Sequence, residues 1–367
     1  MKFFANAKEL SHAAAACVKA SLKGTNAGVL GGILVKADGN TINLTGYDMT
    51  TGIQTTVSAI VQESGVAVFD ARIADILSKL PSEQATITVE IGTATIEGGD
   101  ATYNLVCMRP DDFPALPNYE LEQSISIPKD TLLSMVRQTA FSAAVKDSKP
   151  VHTGVKFDIS AGMIEASAVD GARLAVRKEP ISYNGENRSL IIPASALNNM
   201  AALMAKEKDE NVEIFAGKRH VAFRTEGYTV HTRLLEGDFI DYHKALPKTS
   251  STTITADVEE LQASIERSSI IIDDRLLSPL RCKIGNGNVQ FNAQTALGAA
   301  TDTMAAEIDG DDLEIGLNFR FLLDALKAAE TDRVRLQFGG AFSPVTITPV
   351  DGDSFLFLIL PMRMREK

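Results

Sequence analysis

One pattern recurs three times in this chain, and any fold has to accommodate the triplication first. Its clearest copy covers residues 153–178. Val155, Phe157 and Ile159 alternate as a half-buried strand, Ala161-Gly162 makes a turn, and Ile164 to Ala168 forms a second strand. Asp170-Gly171 turns again into Leu174-Ala175-Val176, completing a β-meander. A weaker copy runs from Gly28 to Val57 around the turn Asp38-Gly39-Asn40, and another from Pro279 to Leu297 around Asn286-Gly287-Asn288. The turn glycines Gly39, Gly162 and Gly287 recur at intervals of about 125 residues, the mark of an internal repeat.

Other elements repeat in the same register. Phe3-Phe4 before Asn6, Ile125 to Ile127 before Pro128, and Thr253-Ile254 before Asp257 each read as a short strand feeding a capped helix. Val66 to Phe69 before Asp70, Leu190 to Ile192 before Pro193, and Leu313 to Leu317 before Asn318 give a second set. Each third closes in a predicted hairpin: Thr86 to Met108, Val212 to Leu235, and Val334 to Pro361. The expectation is an α+β chain of three domains, residues 1–122, 123–248 and 249–367, each with two helices packed on antiparallel sheets. The polar stretches Glu120 to Ser124 and Lys248 to Thr252 serve as linkers.

A hydrophobic content of 45% with 23% charged residues suits a globular protein. Apolar runs such as Ala13 to Val18 are far too short to span a bilayer and the start lacks an apolar signal core, so no membrane partner and a cytoplasmic location are expected. Cys17, Cys107 and Cys282 show no metal-like spacing and read as small buried hydrophobes. His12, His152, His220, His231 and His243 stand in no ligand series, and the acidic pairs Asp111-Asp112 and Asp273-Asp274 read as solvated turns. With no phosphate-cradling glycine loop and no nucleophile elbow either, neither a catalytic residue nor a cofactor or metal is expected.

The net charge of −11 disfavours a simple basic nucleic-acid binder, but its distribution is uneven. Residues 123–248 carry 17 Lys/Arg against 15 Asp/Glu, whereas acids dominate both other thirds. The first predicted helix, Asn6 to about Leu22, buries Leu10, Ala13, Ala14 and Cys17 and aligns Lys8, His12, Ala15, Lys19 and Lys23 on the opposite face. Further helices are expected over Asp70 to Leu80, Pro128 to Phe141, Ala194 to Lys206, Asp257 to Ser269 and Asn318 to Ala329. Domains of two equivalent halves, chained threefold, extend an arc whose open sheet edges invite pairing. Two copies joined head to tail close a circle.

The chain resembles the bacterial replicative sliding clamps, the beta subunit family of DNA polymerase III. The resemblance runs the whole length through Met1-Lys2-Phe3, Leu44-Thr45-Gly46-Tyr47-Asp48, Asp170-Gly171-Ala172-Arg173-Leu174-Ala175, Gly237 to Tyr242, Leu246-Pro247-Lys248, Ile315 to Asn318 and Leu360-Pro361-Met362-Arg363. It implies three tandem DNA-clamp domains in a head-to-tail homodimeric ring around double-stranded DNA. Such a ring is non-catalytic. It tethers the polymerase III catalytic subunit and the clamp loader through short hydrophobic peptide motifs, and a clamp-like paralogue acting outside the main replisome is the alternative.

By position, the family's peptide cleft would use His152, Val169, Gly171, Ala172, Arg173 and Leu174, then Ile240, Ala245 and Leu246, then Leu358, Leu360, Pro361, Met362 and Arg363. Val169, Ala172, Ile240 and the added Arg365-Glu366-Lys367 depart from the family pattern. The implied subunit contact sets Tyr103 and Leu105 against Ile270 and Ile271, and the DNA-facing cations would be Lys8, Lys19, Lys23, Arg72, Lys79, Arg137, Lys146 and Lys149. Such cations hold phosphates without reading bases.

Overall fold

In the computed structural model, residues 1–24, 26–117, 124–146, 149–272 and 278–364 are described. The first third runs β1 (Lys2–Asn6), α1 (Ala7–Val18), β2 (Gly32–Asp38), β3 (Thr41–Tyr47), β4 (Thr51–Glu63), β5 (Gly65–Asp70), α2 (Ile73–Ser78), β6 (Gln84–Glu90), β7 (Thr93–Gly98) and β8 (Ala101–Met108). The second runs β9 (Ser124–Pro128), α3 (Lys129–Ala140), β10 (Gly154–Ser160), β11 (Met163–Val169), β12 (Arg173–Pro180), β13 (Arg188–Pro193), α4 (Ala194–Met204), β14 (Asn211–Ala216), β15 (His220–Arg224) and β16 (Tyr228–Arg233). The last runs β17 (Thr252–Asp257), α5 (Val258–Ser269), β18 (Leu280–Gly285), β19 (Asn288–Thr295), β20 (Gly298–Ala305), β21 (Glu307–Gly310), β22 (Leu313–Leu317), α6 (Phe319–Ala328), β23 (Arg333–Phe338), β24 (Val345–Pro349) and β25 (Phe355–Ile359).

The order strand, helix, meander, strand, helix, meander is thus written three times. The three-strand repeats read from sequence are β2-β3-β4, β10-β11-β12 and β18-β19-β20, each paired antiparallel. The terminal segments differ from expectation: each is a three-stranded meander (β6-β7-β8, β14-β15-β16, β23-β24-β25) rather than a hairpin. The short turns Ile91-Gly92 and Gly99-Asp100 carry positive φ at Ile91, Gly92 and Gly99, which lets a third strand fold back at once.

Helices also end earlier than their apolar periodicity suggests. α1 stops at Val18 although Ala20 and Ser21 beyond it stay buried, so the apolar face continues through a turn. α2 begins only at Ile73, because Asp70 closes a strand and Arg72 is the N-cap. β21 was not expected. Glu307-Ile308-Asp309-Gly310 has almost no apolar alternation, yet it pairs along β17 from Thr252↔Gly310 to Thr255↔Glu307.

Contacts gather the chain into two compact units, residues 1–132 with 195–234 and residues 133–194 with 235–367. The first holds a twelve-stranded sheet ordered β1-β6-β7-β8-β5-β2-β3-β4-β16-β15-β14-β9. It is continuous because β16 pairs with β4, His231 opposite Gly52. The second holds a nine-stranded sheet, β13-β10-β11-β12-β25-β24-β23-β17-β21, and a four-stranded one, β20-β19-β18-β22.

Within the first unit α1 lies hard against the sheet. Asn6 caps it, its Oδ1 accepting from the amides of Lys8 and Glu9 at 3.0 Å, and Leu10, Ala13, Ala14 and Cys17 face inward. Within the second unit, α5 and α6 cover a core of Ile254, Leu261, Ile265, Phe291, Leu322 and Phe357.

Candidate partner-binding cleft and nucleic-acid interface

The second unit places an apolar surface beside the β11–β12 turn. Asp170 Oδ1 accepts from the amides of Ala172 and Arg173, both at 3.1 Å, and Gly171 takes φ +87°, a conformation open to glycine at little cost. β12 then pairs with β25, Leu174 opposite Leu358 and Val176 opposite Leu356. Opposed residues share a face. Leu174, Val176, Tyr242 and Leu358 accordingly form one buried cluster, with Val169, Leu246 and Leu356 half-buried against it.

Ile240 at 47% and Leu360 at 40% exposure add accessible apolar surface in this unit. The tail is tied down twice: the Leu360 amide donates to the Ala172 carbonyl and the Met362 amide to the Gly316 carbonyl, each at 2.8 Å. Pro361 and Met362 are half-buried, while Gly171, Ala245 and Arg363 are exposed. His152, in the 3-10 turn Pro150–Thr153, sits edge-on to Phe239 with ring centroids 6.4 Å apart.

Arg173 departs from its expected role. Alternation along β12 turns it to the face opposite Leu174, where its guanidinium pairs with Asp170 at 2.8 Å and with Asp324 at 2.6 Å. It also lies over the Phe321 ring at 4.4 Å. It fastens the turn to α6 rather than offering a cation to the apolar surface.

Tyr242, Val176, Leu356 and Glu165 were missed. The Tyr242 hydroxyl donates to Glu165 Oε1 at 2.6 Å, and Lys178 Nζ stands 3.6 Å from the other oxygen of that carboxylate. Burial first, and the carboxylate next, push the Tyr242 phenol far above its usual range, so it remains a donor. The two-residue step from Leu174 to Val176 was the available signal.

The expected cations divide by residue type. Lys8, His12, Lys19 and Lys23 are exposed along and just beyond α1, as are Lys79, Lys146 and Lys149 elsewhere. Among the described residues, Lys8, Lys19, Lys23, Lys79 and Lys146 enter no ion pair. The arginines do. Arg72 Nε meets Asp70 Oδ1 at 2.8 Å and Nη2 meets Oδ2 at 3.1 Å. Arg137 Nε meets Glu330 Oε1 at 2.5 Å, and Ser134 Oγ donates to the other Glu330 oxygen at 2.6 Å.

Hydrogen bonding from Arg72 holds the Asp70 carboxyl below its usual range. Burial alone would raise Glu330, but bonds from Arg137 and Ser134 outweigh it and keep that carboxyl low.

Among the described strands, β8 and β20 keep an open side, as do β9, β13, β21 and β22 at the ends of their sheets. β8 pairs with β7 through Ala101 to Val106 and reaches β5 only at Cys107 and Met108. β20 pairs with β19 alone among the described strands. Tyr103 is 36% and Ile270 82% exposed, and Ile271 is half-buried on the core. Leu105 is the exception, only 7% exposed. It lies opposite buried Ala94, so it is a core residue, whereas its neighbour Val106 on the other face is 73% exposed.

Cys17 and Cys282 are buried and their thiols are pushed up to about 12 by desolvation. No cluster of potential metal ligands occurs among the described residues, and no helix is long and apolar enough to cross a membrane. Asp273-Asp274 and Arg365 to Lys367 lie outside the described residues.

Residues 1–117, 126–241 and 243–363 match, in turn, the N-terminal, central and C-terminal domains of the DNA polymerase III beta subunit. The Beta sliding clamp of Staphylococcus epidermidis strain RP62A is 30% identical over 358 residues, covering 94% of this chain and 95% of that one. That of Halalkalibacterium halodurans is 29% identical over 361 residues with the same coverage. Among solved structures, the DNA polymerase sliding clamp from Bacillus subtilis superposes with a TM-score of 0.94 at 26% identity, over 100% of both chains. A putative DNA polymerase III beta subunit from Eubacterium rectale gives 0.92 at 28% identity, over 99% of both. With every repeat matched in order, the chain belongs to the DNA polymerase III beta subunit family and is built of three tandem clamp domains.

Proposed function

We propose that this protein is a replicative sliding clamp. Two copies join head to tail in a ring that encircles duplex DNA without reading its sequence. The ring tethers the polymerase III catalytic subunit, the clamp loader and other partners by short hydrophobic peptide motifs, and itself catalyses nothing. Its place of work is the cytoplasm. Domain boundaries fall at 122/123, within residues outside the described set, and at 248/249, where Lys248, Thr249 and Ser250 are exposed.

The observation that carries this reading is that two of the open antiparallel edges, Ala101–Val106 in β8 and Gly298–Ala305 in β20, carry exposed large apolar side chains on or next to them, Val106 and Leu297. A free edge is an aggregation hazard unless something covers it. Pairing β8 of one copy with β20 of the next leaves neither exposed, and Val106, Tyr103 and Ile270 supply apolar area for the same junction. The exposed lysines offer point charges to phosphates, weak and interchangeable contacts of the kind that sliding requires. The Leu174–Leu358 surface with Ile240 and Leu360 suits an extended peptide anchored by apolar side chains.

The test is topological. Protein assembled by its cognate loader on nicked circular DNA should stay bound through gel filtration at moderate salt and be released when the circle is linearised. Retention on linear DNA with free ends, or failure to support processive synthesis by the cognate polymerase, would refute the ring.

A further inference from the structure

Three exposed arginines at the helices, Arg72, Arg137 and Arg267, are each tied to a carboxylate, while Lys8, Lys19, Lys23, Lys79 and Lys146 enter no ion pair among the described residues; on α6, Lys327 is itself paired, with Glu266 at 3.4 Å. Arg72, the N-cap of α2, is held bidentately by Asp70. Arg137 of α3 is held by Glu330, and Arg267 of α5 is paired with Asp302. Glu330 makes its pair from an uncommon backbone conformation. This residue follows α6 with φ +53°, a position where glycine is the usual occupant and a side chain is strained. Yet it carries a carboxylate that reaches both Ser134 and Arg137, and Gln138 Nε2 caps the Ala329 carbonyl beside it at 3.0 Å.

Arginine and lysine differ in what they do to a phosphate. A guanidinium makes two parallel, geometrically fixed bonds to a phosphate, whereas an ammonium is a mobile point charge. A ring that must move along DNA gains from the second and is slowed by the first. We propose that Asp70 and Glu330 act as intramolecular phosphate mimics that occupy Arg72 and Arg137, so that at these two positions the duplex meets no free guanidinium and slides with less friction. This rests on the reading of these helix faces as the surface that meets duplex DNA.

Both pairs are solvent-accessible. The side chain of Arg137 is 56% exposed and that of Arg72 74%, so a phosphate can reach either guanidinium once its carboxylate is neutralised. Asp70→Asn keeps the turn in which Oδ1 accepts from the Arg72 amide at 2.9 Å, and Glu330→Gln keeps one acceptor oxygen, enough for Ser134, while an amide nitrogen stands where the second carboxylate oxygen held Arg137. Both changes are therefore conservative for folding.

The experiment measures fluorescence anisotropy of a short blunt linear duplex against salt for the full-length protein, D70N/E330Q and a control, D75N. Asp75 is an exposed carboxylate in the first turn of α2 with no ion pair among the described residues. The double variant is expected to bind about tenfold tighter at low salt, with the slope of log K against log salt steeper by about 1.8, two added phosphate contacts. D75N should leave the slope unchanged, and adding Arg72→Ala and Arg137→Ala to the double variant should cancel the gain. Loaded on DNA, D70N/E330Q should diffuse more slowly than the parent.

An unchanged slope for D70N/E330Q, with K8A/K19A/K23A still weakening binding, overturns the inference and spares the clamp reading. No effect of the lysine variant refutes the DNA-facing assignment, and the inference falls with it.

Discussion

Gly46→Ala is the sharpest structural test of how α1 is seated. An ideal Cβ at Gly46, in β3, falls 1.9 Å from the Cys17 carbonyl oxygen, 2.7 Å from its carbon and 3.1 Å from its Cα. Ordinary contact begins near 3.4 Å, so backbone must move away from backbone by about 1.5 Å. No flexible side-chain tip can absorb this. A helix shifts as a body, so Leu10, Ala13 and Ala14 lift from the sheet together and the Cys17 Sγ to Ile53 carbonyl contact at 3.5 Å is lost. Overpacking costs about 1–3 kcal/mol, and a backbone-on-backbone clash belongs at about 3.

At about 2–4 °C per kcal/mol, the transition that melts α1 should fall by about 6–12 °C. Peptide-resolved hydrogen exchange should report faster exchange over residues 7–18 and 43–47. Gly39→Ala is the contrast: φ is +57° but nothing lies within 4 Å, so only the left-handed backbone costs, about 1 kcal/mol. A Gly46→Ala protein whose α1 exchanges like the parent, or which melts no lower than Gly39→Ala, refutes the close-approach reasoning.

Three further outcomes are expected. Burial, with a smaller contribution from His220, lowers His231 to about 4. Its stability contribution is therefore complete above the unfolded value near 6.5 and is lost as pH falls through that window, by about 2 kcal/mol between pH 6.5 and 4.5. Urea midpoints should show that slope and His231→Gln should flatten it, whereas parallel pH profiles would contradict the assignment. Tyr242→Phe, which removes the donor to Glu165, should cost about 1 kcal/mol in urea unfolding yet leave binding of a hydrophobic partner peptide within threefold. Leu246→Ala should weaken that peptide about tenfold by calorimetry, and the reverse ranking would exclude this surface as the cleft. Val106→Lys should convert a sedimenting dimer to monomer without lowering Tm, while Leu105→Ala, in the core, should cost about 2–3 kcal/mol; equal loss of dimer and stability from both would contradict the burial difference.

The triplication was legible because glycine turns and period-two alternation are local signals, and both survive divergence among the repeats. β10, β11 and β12 fall where Phe157, Ile164 and Leu174 place them. Helix starts were legible where a side chain caps them, as at Asn6, Asp257 and Asn318. Helix ends were not, since buried Ala20 continues the α1 pattern after the helix has stopped. β21 exists because an edge was free beside Ile254, and a strand recruited by its neighbour leaves little trace in its own sequence.

The site was legible as far as position within a motif reaches, and no further. Val169, Leu174, Leu246 and Leu358 lie at motif positions and meet in one cluster, since strands carry fixed residues to fixed faces. That same alternation takes Arg173 to the opposite face from Leu174, a consequence readable in sequence once β12 is fixed. The partners of the cations are another matter. Arg137 and Glu330 are 193 residues apart in the chain, and nothing local to α3 announces a carboxylate beyond the end of α6. A cation counted along a helix is a charge in sequence but a neutralised pair in the fold. The eight cations expected from the family resemblance to face DNA therefore include two arginines already held by carboxylates, and under the proposed reading lysine, with its flexible, strongly hydrated ammonium group, is the residue that releases a phosphate most readily.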